Sequence, residues 1–159
     1  MPLYVVGFIQ DRRKSVINEG WGGTTMESRD LIFANEDGTL SFGNCALTEK
    51  AKVPEYEFRG DIYKVKTFSE ITKLERNGMF AYESVPGTDV EHFQVTEEGV
   101  SFTVAGREDA QITLGLEDDT EYSVFVNGTK ISEMKANMSG KLTISVELGA
   151  EPVEVCVER

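Results

Sequence analysis

The chain has 159 residues, 40% of them hydrophobic and 28% charged, with a formal net charge of −12. That length carries an ordinary domain with a sizeable core, and the balance is too apolar for a disordered chain. The acidity repels phosphate backbones and anionic headgroups, which argues against nucleic-acid and membrane-surface binding, and no apolar run approaches the ~20 residues that span a bilayer.

Residues 1–25 differ from the rest and read MPLYVVGFIQDRRKSVINEGWGGTT. The apolar part, Leu3 to Ile9, comes first, and the basic cluster Arg12-Arg13-Lys14 follows it. A secretory signal has the reverse order, so the cytoplasm is the default compartment, with export by another route left open. Back-translated, Trp21-Gly22-Gly23 can spell a purine-rich ribosome-binding sequence shortly before Met26. Met26 is therefore a candidate true start. The alternative is an ordinary amino-terminal strand or tail.

From Asp30 on, short apolar–polar alternations are separated by turn dipeptides. Leu31-Ile32-Phe33 leads through Asn35-Glu36-Asp37-Gly38 into Leu40-Ser41-Phe42, a hairpin, because Asp-Gly supplies the positive φ of a tight turn. The two cysteines, Cys45 and Cys156, form no C-x-x-C and lack a paired histidine, which points to reduced thiols rather than zinc or a disulfide. Glu55 to Phe58 and Asp61 to Phe68 flank the turn Arg59-Gly60. Ile71 to Leu74 reads as a strand or one helical turn, and Asn77-Gly78 is the strongest hairpin signal. Val85-Pro86-Gly87-Thr88 breaks the pattern and marks a boundary or crossover.

The remainder alternates clearly. The segments are His92 to Val95, Val100 to Val104, Ala110 to Leu114, Tyr122 to Val126 before Asn127-Gly128, Lys130 to Met134, Lys141 to Leu148 and Val153 to Val157. Turns recur about every 8–12 residues, the spacing of a sandwich or barrel. The reading is an all-β, antiparallel β-sandwich, Ig-like or jelly-roll-like, with an added amino-terminal hairpin unit. It divides as a leader at 1–25, a β-unit at 26–88 and a sandwich unit at 89–159, or 26–159 forms one composite domain. Phe102, Val104, Ile112, Leu114, Val124, Val126, Leu142, Ile144, Val146 and Val155 should share one interior, because residues two apart on a strand face the same side. Phe125 falls on the outer face, where it is either covered by the amino-terminal unit or exposed for a partner; cover is the favoured reading, because a second layer is also needed to bury Phe80 and Tyr82.

No catalytic set is apparent. His92, the one histidine, has no nucleophile motif beside it and reads as a surface residue. Glu117-Asp118-Asp119-Thr120-Glu121 lacks the spacing of a calcium loop, Gly20-Trp21-Gly22-Gly23 lacks the lysine of a phosphate cradle, and no cofactor or metal is implied. Asn127-Gly128-Thr129 and Asn137-Met138-Ser139 match the glycosylation pattern, but the first reads better as a turn. Glu83 and Asp89 flank the Pro86-Gly87 break, where a loop could display two carboxylates of the kind glycosidases use. Arg59 and Arg76 suit an anionic sugar. With the aromatic residues Tyr82 and Phe125, the candidate binding set is Arg59, Arg76, Tyr82, Glu83 and Phe125.

The stretch from Met26 to Arg159 resembles a family of small bacterial proteins called endosialidase, or endosialidase catalytic beta chain. The likeness is carried by Asp37-Gly38-Thr39-Leu40-Ser41-Phe42-Gly43, Tyr63-Lys64-Val65-Lys66-Thr67-Phe68 and Ile71-Thr72-Lys73-Leu74-Glu75-Arg76-Asn77-Gly78-Met79-Phe80. Tyr82 to Thr88, Asp109 to Leu114 and Gly140 to Leu148 complete it. The resemblance implies a glycan-active enzyme. Against the Asp-box of sialidases, Ser-x-Asp-x-Gly-x-Thr-Trp, the nearest segment is Asn35 to Phe42, whose Asp and Gly are adjacent. The body is also short for a propeller. The expectation is therefore a non-catalytic β-sandwich that binds itself, another protein or a glycan, with homo-oligomers among its possible assemblies. The alternative is a glycan-active enzyme of the endosialidase type.

Overall fold

The computed structural model describes residues 30–159, so the expected leader at 1–25 lies outside the described residues. The described chain is built of strands: β1 (Ile32–Ala34), β2 (Leu40–Phe42), β3 (Ala51–Phe58), β4 (Asp61–Phe68), β5 (Ile71–Arg76), β6 (Met79–Val85), β7 (Asp89–Val95), β8 (Gly99–Ala105), β9 (Ala110–Gly115), β10 (Glu121–Val126), β11 (Thr129–Lys135), β12 (Lys141–Val146) and β13 (Val153–Glu158). No helix among the described residues is long and apolar enough to cross a membrane.

The predicted turns form where the sequence places them. Arg59-Gly60, Asn77-Gly78 and Asn127-Gly128 each hold two successive positive φ angles, 55° and 86°, 52° and 79°, 50° and 83°. This is the type I′ geometry that matches strand twist and favours Asn-Gly. Each turn joins neighbouring antiparallel strands: β3 to β4, β5 to β6 and β10 to β11.

Two antiparallel sheets stack face to face. The seven-stranded sheet runs β1-β2-β7-β8-β13-β10-β11, and the six-stranded sheet runs β12-β9-β6-β5-β4-β3. Both sheets mix strands from before and after Thr88. β2 pairs with β7 in one, and β6 pairs with β9 in the other. The whole is an all-β sandwich with a shared core.

The core follows the predicted parity. Phe102, Val104, Ile112, Leu114, Val124, Leu142, Ile144, Val146 and Val155 are buried, and Val126 packs partly buried against them. Tyr82 meets Phe42, Phe93 and Phe102 edge-on, with centroid separations of 5.2 Å for Phe42–Tyr82 and 5.5 Å for Tyr82–Phe102. Such pairs add about 0.5–1.5 kcal/mol each beyond area burial.

Phe80 departs from the expectation that it shares the interior with Tyr82. A register shift between Leu74 and Glu75 places Tyr82 opposite Leu74 but Phe80 opposite Glu75. The extra residue turns the Phe80 ring outward, where the Lys141 ammonium lies 4.6 Å from its centroid. Tyr82 stays inside, with its hydroxyl in a buried cluster formed by Thr67, Thr72, Ser84 and Thr88.

Candidate functional site

Strand alternation aims the even-numbered residues of β8 into the core and the odd-numbered ones outward. Ser101 and Thr103 therefore lie on the outer face of the seven-stranded sheet. On β13 the same rule turns out Glu154, Cys156 and Glu158, and on β10 it turns out Phe125. The register aligns them in rows. Ser101 stands opposite Cys156, which stands opposite Phe125, while Thr103 stands opposite Glu154. These residues, with His92 on β7, line a groove of about 440 Å³.

His92 enters the groove through an irregularity. Between Glu91 and Gln94 the pairing of β7 with β8 slips, and His92 takes a φ of +56°. A non-glycine residue in that region costs on the order of 1–3 kcal/mol and needs support. The β1–β2 turn provides it. His92 Nδ1 lies 3.1 Å from Asp37 Oδ2 and 3.2 Å from Thr39 Oγ1, and its backbone N–H donates to Ser41 Oγ at 3.4 Å. Facing the carboxylate, Nδ1 is the ring nitrogen that donates. Thr39 donates its hydroxyl to Asp37 Oδ1 at 2.6 Å, and this bond is the largest of the causes that hold the Asp37 carboxyl below its usual range. Partial burial opposes it, and the Thr39 N–H and the His92 ring assist.

A histidine oriented by a carboxylate resembles two-thirds of a catalytic triad, but the third part does not fit. The Cys156 Sγ points at Glu158 Oε2, 3.6 Å away. Burial first, then the Glu158 charge, raises its pKa and keeps the thiol protonated. A cysteine nucleophile needs the opposite shift. The two groove carboxylates, Glu154 and Glu158, lie four residues apart on one strand. That spacing sets their Cα atoms about 13 Å apart, wider than the ~5–9.5 Å between glycosidase carboxyl groups. No group of three or more His, Cys, Asp or Glu side chains among the described residues is placed to hold a metal ion. The arrangement offers an apolar ring, hydroxyls and hydrogen-bond acceptors, which is the equipment of a binding surface.

Of the binding set read from sequence, only Phe125 lies in this groove. It is half-buried there, and the expected cover is not the arrangement found. β3 to β6 belong to the opposite sheet, and no residue before His92 is among the described lining. Arg59 occupies the left-handed position of the β3–β4 turn, with its guanidinium 5.5 Å from the Phe58 ring centroid and packed against Gly38. Arg76, at the end of β5, is bound to Asp61 through Nε at 3.1 Å and Nη2 at 2.9 Å. Tyr82 is fully buried, so it is removed from the set of ligand-contacting residues.

Glu83 and Asp89 are not brought together. Glu83 stands opposite Lys73 in the six-stranded sheet. Asp89 is half-buried beside Cys45 and accepts its N–H at 2.8 Å, and burial raises its carboxyl pKa. The sequence reading missed His92, Glu154, Cys156 and Glu158. Outward parity on β13 was available as a signal for the last three; the bulge that delivers His92 was not.

The outer face of the six-stranded sheet is chemically different. Lys66 stands opposite both Lys52 and Lys73, and Lys64 opposite Glu75, around a shallow cleft of about 100 Å³. No protein-family model, no curated protein and no solved structure matches this chain.

Proposed function

We propose that this chain is a non-catalytic binding module that holds a glycan in the groove of its seven-stranded sheet. The observation that carries the reading is the row Ser101–Cys156–Phe125, which sets an outward aromatic ring beside hydroxyls and between carboxylates. An aromatic face packs against the C–H face of a sugar, and Glu154, Glu158, Ser101, Thr103 and His92 Nε2 accept or exchange hydrogen bonds with its hydroxyls. The two carboxylates favour a neutral or amino sugar and repel an acidic one. That preference runs against the endosialidase alternative, as does the engagement of Arg76 by Asp61. Cys45 and Cys156 are both free thiols, the state a reducing compartment maintains, which supports a cytoplasmic setting.

Calorimetric titration of the full chain with neutral, amino and sialylated oligosaccharides tests this. The expected result is binding of a neutral or amino glycan that Phe125→Ala weakens by at least about tenfold, roughly 1.4 kcal/mol. Binding that Phe125→Ala leaves unchanged would place the ligand elsewhere. Release of sialic acid from polysialic acid, lost on replacing Arg59 or Arg76, would establish the enzyme reading instead.

A further inference from the structure

A sandwich has four sheet edges, and exposed edges invite pairing with other chains unless they are blunted. Three of the four are blunted here. β1 is only three residues long, and the N–H of its Ala34 donates to the Tyr56 hydroxyl at 3.0 Å. β3 carries Pro54, and its pairing slips between Val53 and Tyr56. β11 sits beside a register shift at Val124 and Phe125 and carries Lys130 and Lys135. The fourth edge, β12, is the least blunted. Its six residues pair with β9 without a slip, it holds no proline, and its one charge is Lys141 at the first position.

The backbone of β12 shows which groups are on offer. The Lys141 N–H donates to Asn137 Oδ1 at 2.9 Å, and its C=O accepts the Asn137 N–H at 2.9 Å, so both point away from β9. By alternation along an antiparallel pair, the N–H and C=O of Thr143 and Ser145 also point away from β9. Among the described residues β12 is the terminal strand of its sheet, so no neighbouring strand receives them.

The side chains indicate what fits. Lys141, Thr143, Ser145 and Glu147 are exposed, while Leu142, Ile144, Val146 and Leu148 are buried. We infer that β12 pairs antiparallel with β12 of a second copy, about a two-fold axis through Ile144. In that register Lys141 meets Glu147 of the second copy, Thr143 meets Ser145, and Leu142 meets Val146. Opposite charges, hydroxyls and apolar residues are each matched with their own complement. The segment Lys-Leu-Thr-Ile-Ser-Val-Glu is self-complementary in charge only when run antiparallel, which selects a second copy over an unrelated strand. Four backbone hydrogen bonds close the ladder, two for each Thr143–Ser145 pair. It stops at Lys141, whose backbone groups Asn137 already occupies. Such an isologous contact closes on itself and joins two six-stranded sheets into one.

The inference goes beyond glycan binding and uses a different surface, so the groove is untouched by its failure. Light scattering on the full chain across micromolar concentrations tests it. The wild type is expected at twice the monomer mass. Ser145→Pro, which removes an outward N–H, should run as a monomer with unchanged circular dichroism. Lys141→Glu and Glu147→Lys should each shift the equilibrium toward monomer, and the double variant should restore the dimer. A monomeric wild type, a dimer that Ser145→Pro leaves intact, or a double variant no better than either single one would overturn the pairing.

Discussion

The Tyr82 hydroxyl lies 2.7 Å from Thr88 Oγ1, and both residues are fully buried. Thr88 Oγ1 also meets Ser84 Oγ at 2.8 Å, so one threonine hydroxyl serves two buried partners. Burial pushes the Tyr82 pKa well up and keeps it a neutral hydroxyl. The arrangement predicts an asymmetry. Tyr82→Phe leaves Thr88 its bond to Ser84 and should cost about 1–2 kcal/mol. Thr88→Val removes the hydroxyl that both Tyr82 and Ser84 meet and should cost about 2–5 kcal/mol. Denaturant unfolding of the two variants gives the order, and a costlier Tyr82→Phe would mean that ring packing outweighs the hydroxyls.

Strand β12 allows a second comparison within one stretch of chain. Ile144 is buried between Thr143 and Ser145, which are exposed. Ile144→Ala should cost about 2–5 kcal/mol through the cavity it leaves. Thr143→Ala gives up an exposed bond to Thr113 Oγ1 and should cost under about 1 kcal/mol. Urea midpoints in the reverse order would put the strand out of register by one residue.

Asp89 makes stability depend on pH. Its folded carboxyl pKa is raised, chiefly by burial, and the Cys45 N–H it accepts only partly offsets this. A raised carboxyl favours folding while protonated. Its contribution is therefore full below the ordinary carboxylate pKa and is lost as pH rises through the higher folded value. Asp89→Asn keeps an oxygen for the Cys45 N–H and removes the buried charge. The variant should gain on the wild type between about pH 4 and neutrality, and thermal melts across that range follow it. A variant that instead loses ground as pH rises would show that ionised Asp89 is stabilised by its surroundings.

The thiols should differ in reactivity. Burial, then Asp89, pushes Cys45 up to about 12, and Cys156 is raised by burial and by Glu158. Since only the thiolate reacts, iodoacetamide near neutral pH should label Cys156 more slowly than a free cysteine and leave Cys45 unlabelled in the folded protein. Mass spectrometry of timed aliquots reads both. Rapid labelling of Cys45 would mean that its end of the sandwich opens readily.

Much of the fold was legible because turns and parity are local. Asn77-Gly78 and Asn127-Gly128 fix tight hairpins through their own backbone preferences, and Leu142, Ile144 and Val146 declare one face by spacing alone. The errors fall where a strand slips. The bulge opposite Leu74 and Glu75 turned Phe80 outward, and the one at Glu91 and Gln94 lifted His92 into the groove. Alternation cannot reveal an inserted residue without knowledge of the partner strand. The site was less legible than the fold for a related reason. Its rows join β7, β8, β10 and β13, and nothing local indicates that β13 lies between β8 and β10. Phe125 was recognisable as an outward aromatic, but its neighbours were not.

That placement of β13 governs how the molecule comes together. In the seven-stranded sheet β8 and β10 do not pair; each pairs with β13, which joins Phe102 to Val155 on one side and Val126 to Val155 on the other. Without that strand the β8 and β10 parts of the sheet share no pairing. β13 acts as a keystone, set across a long loop of chain, and such distant closures are slow.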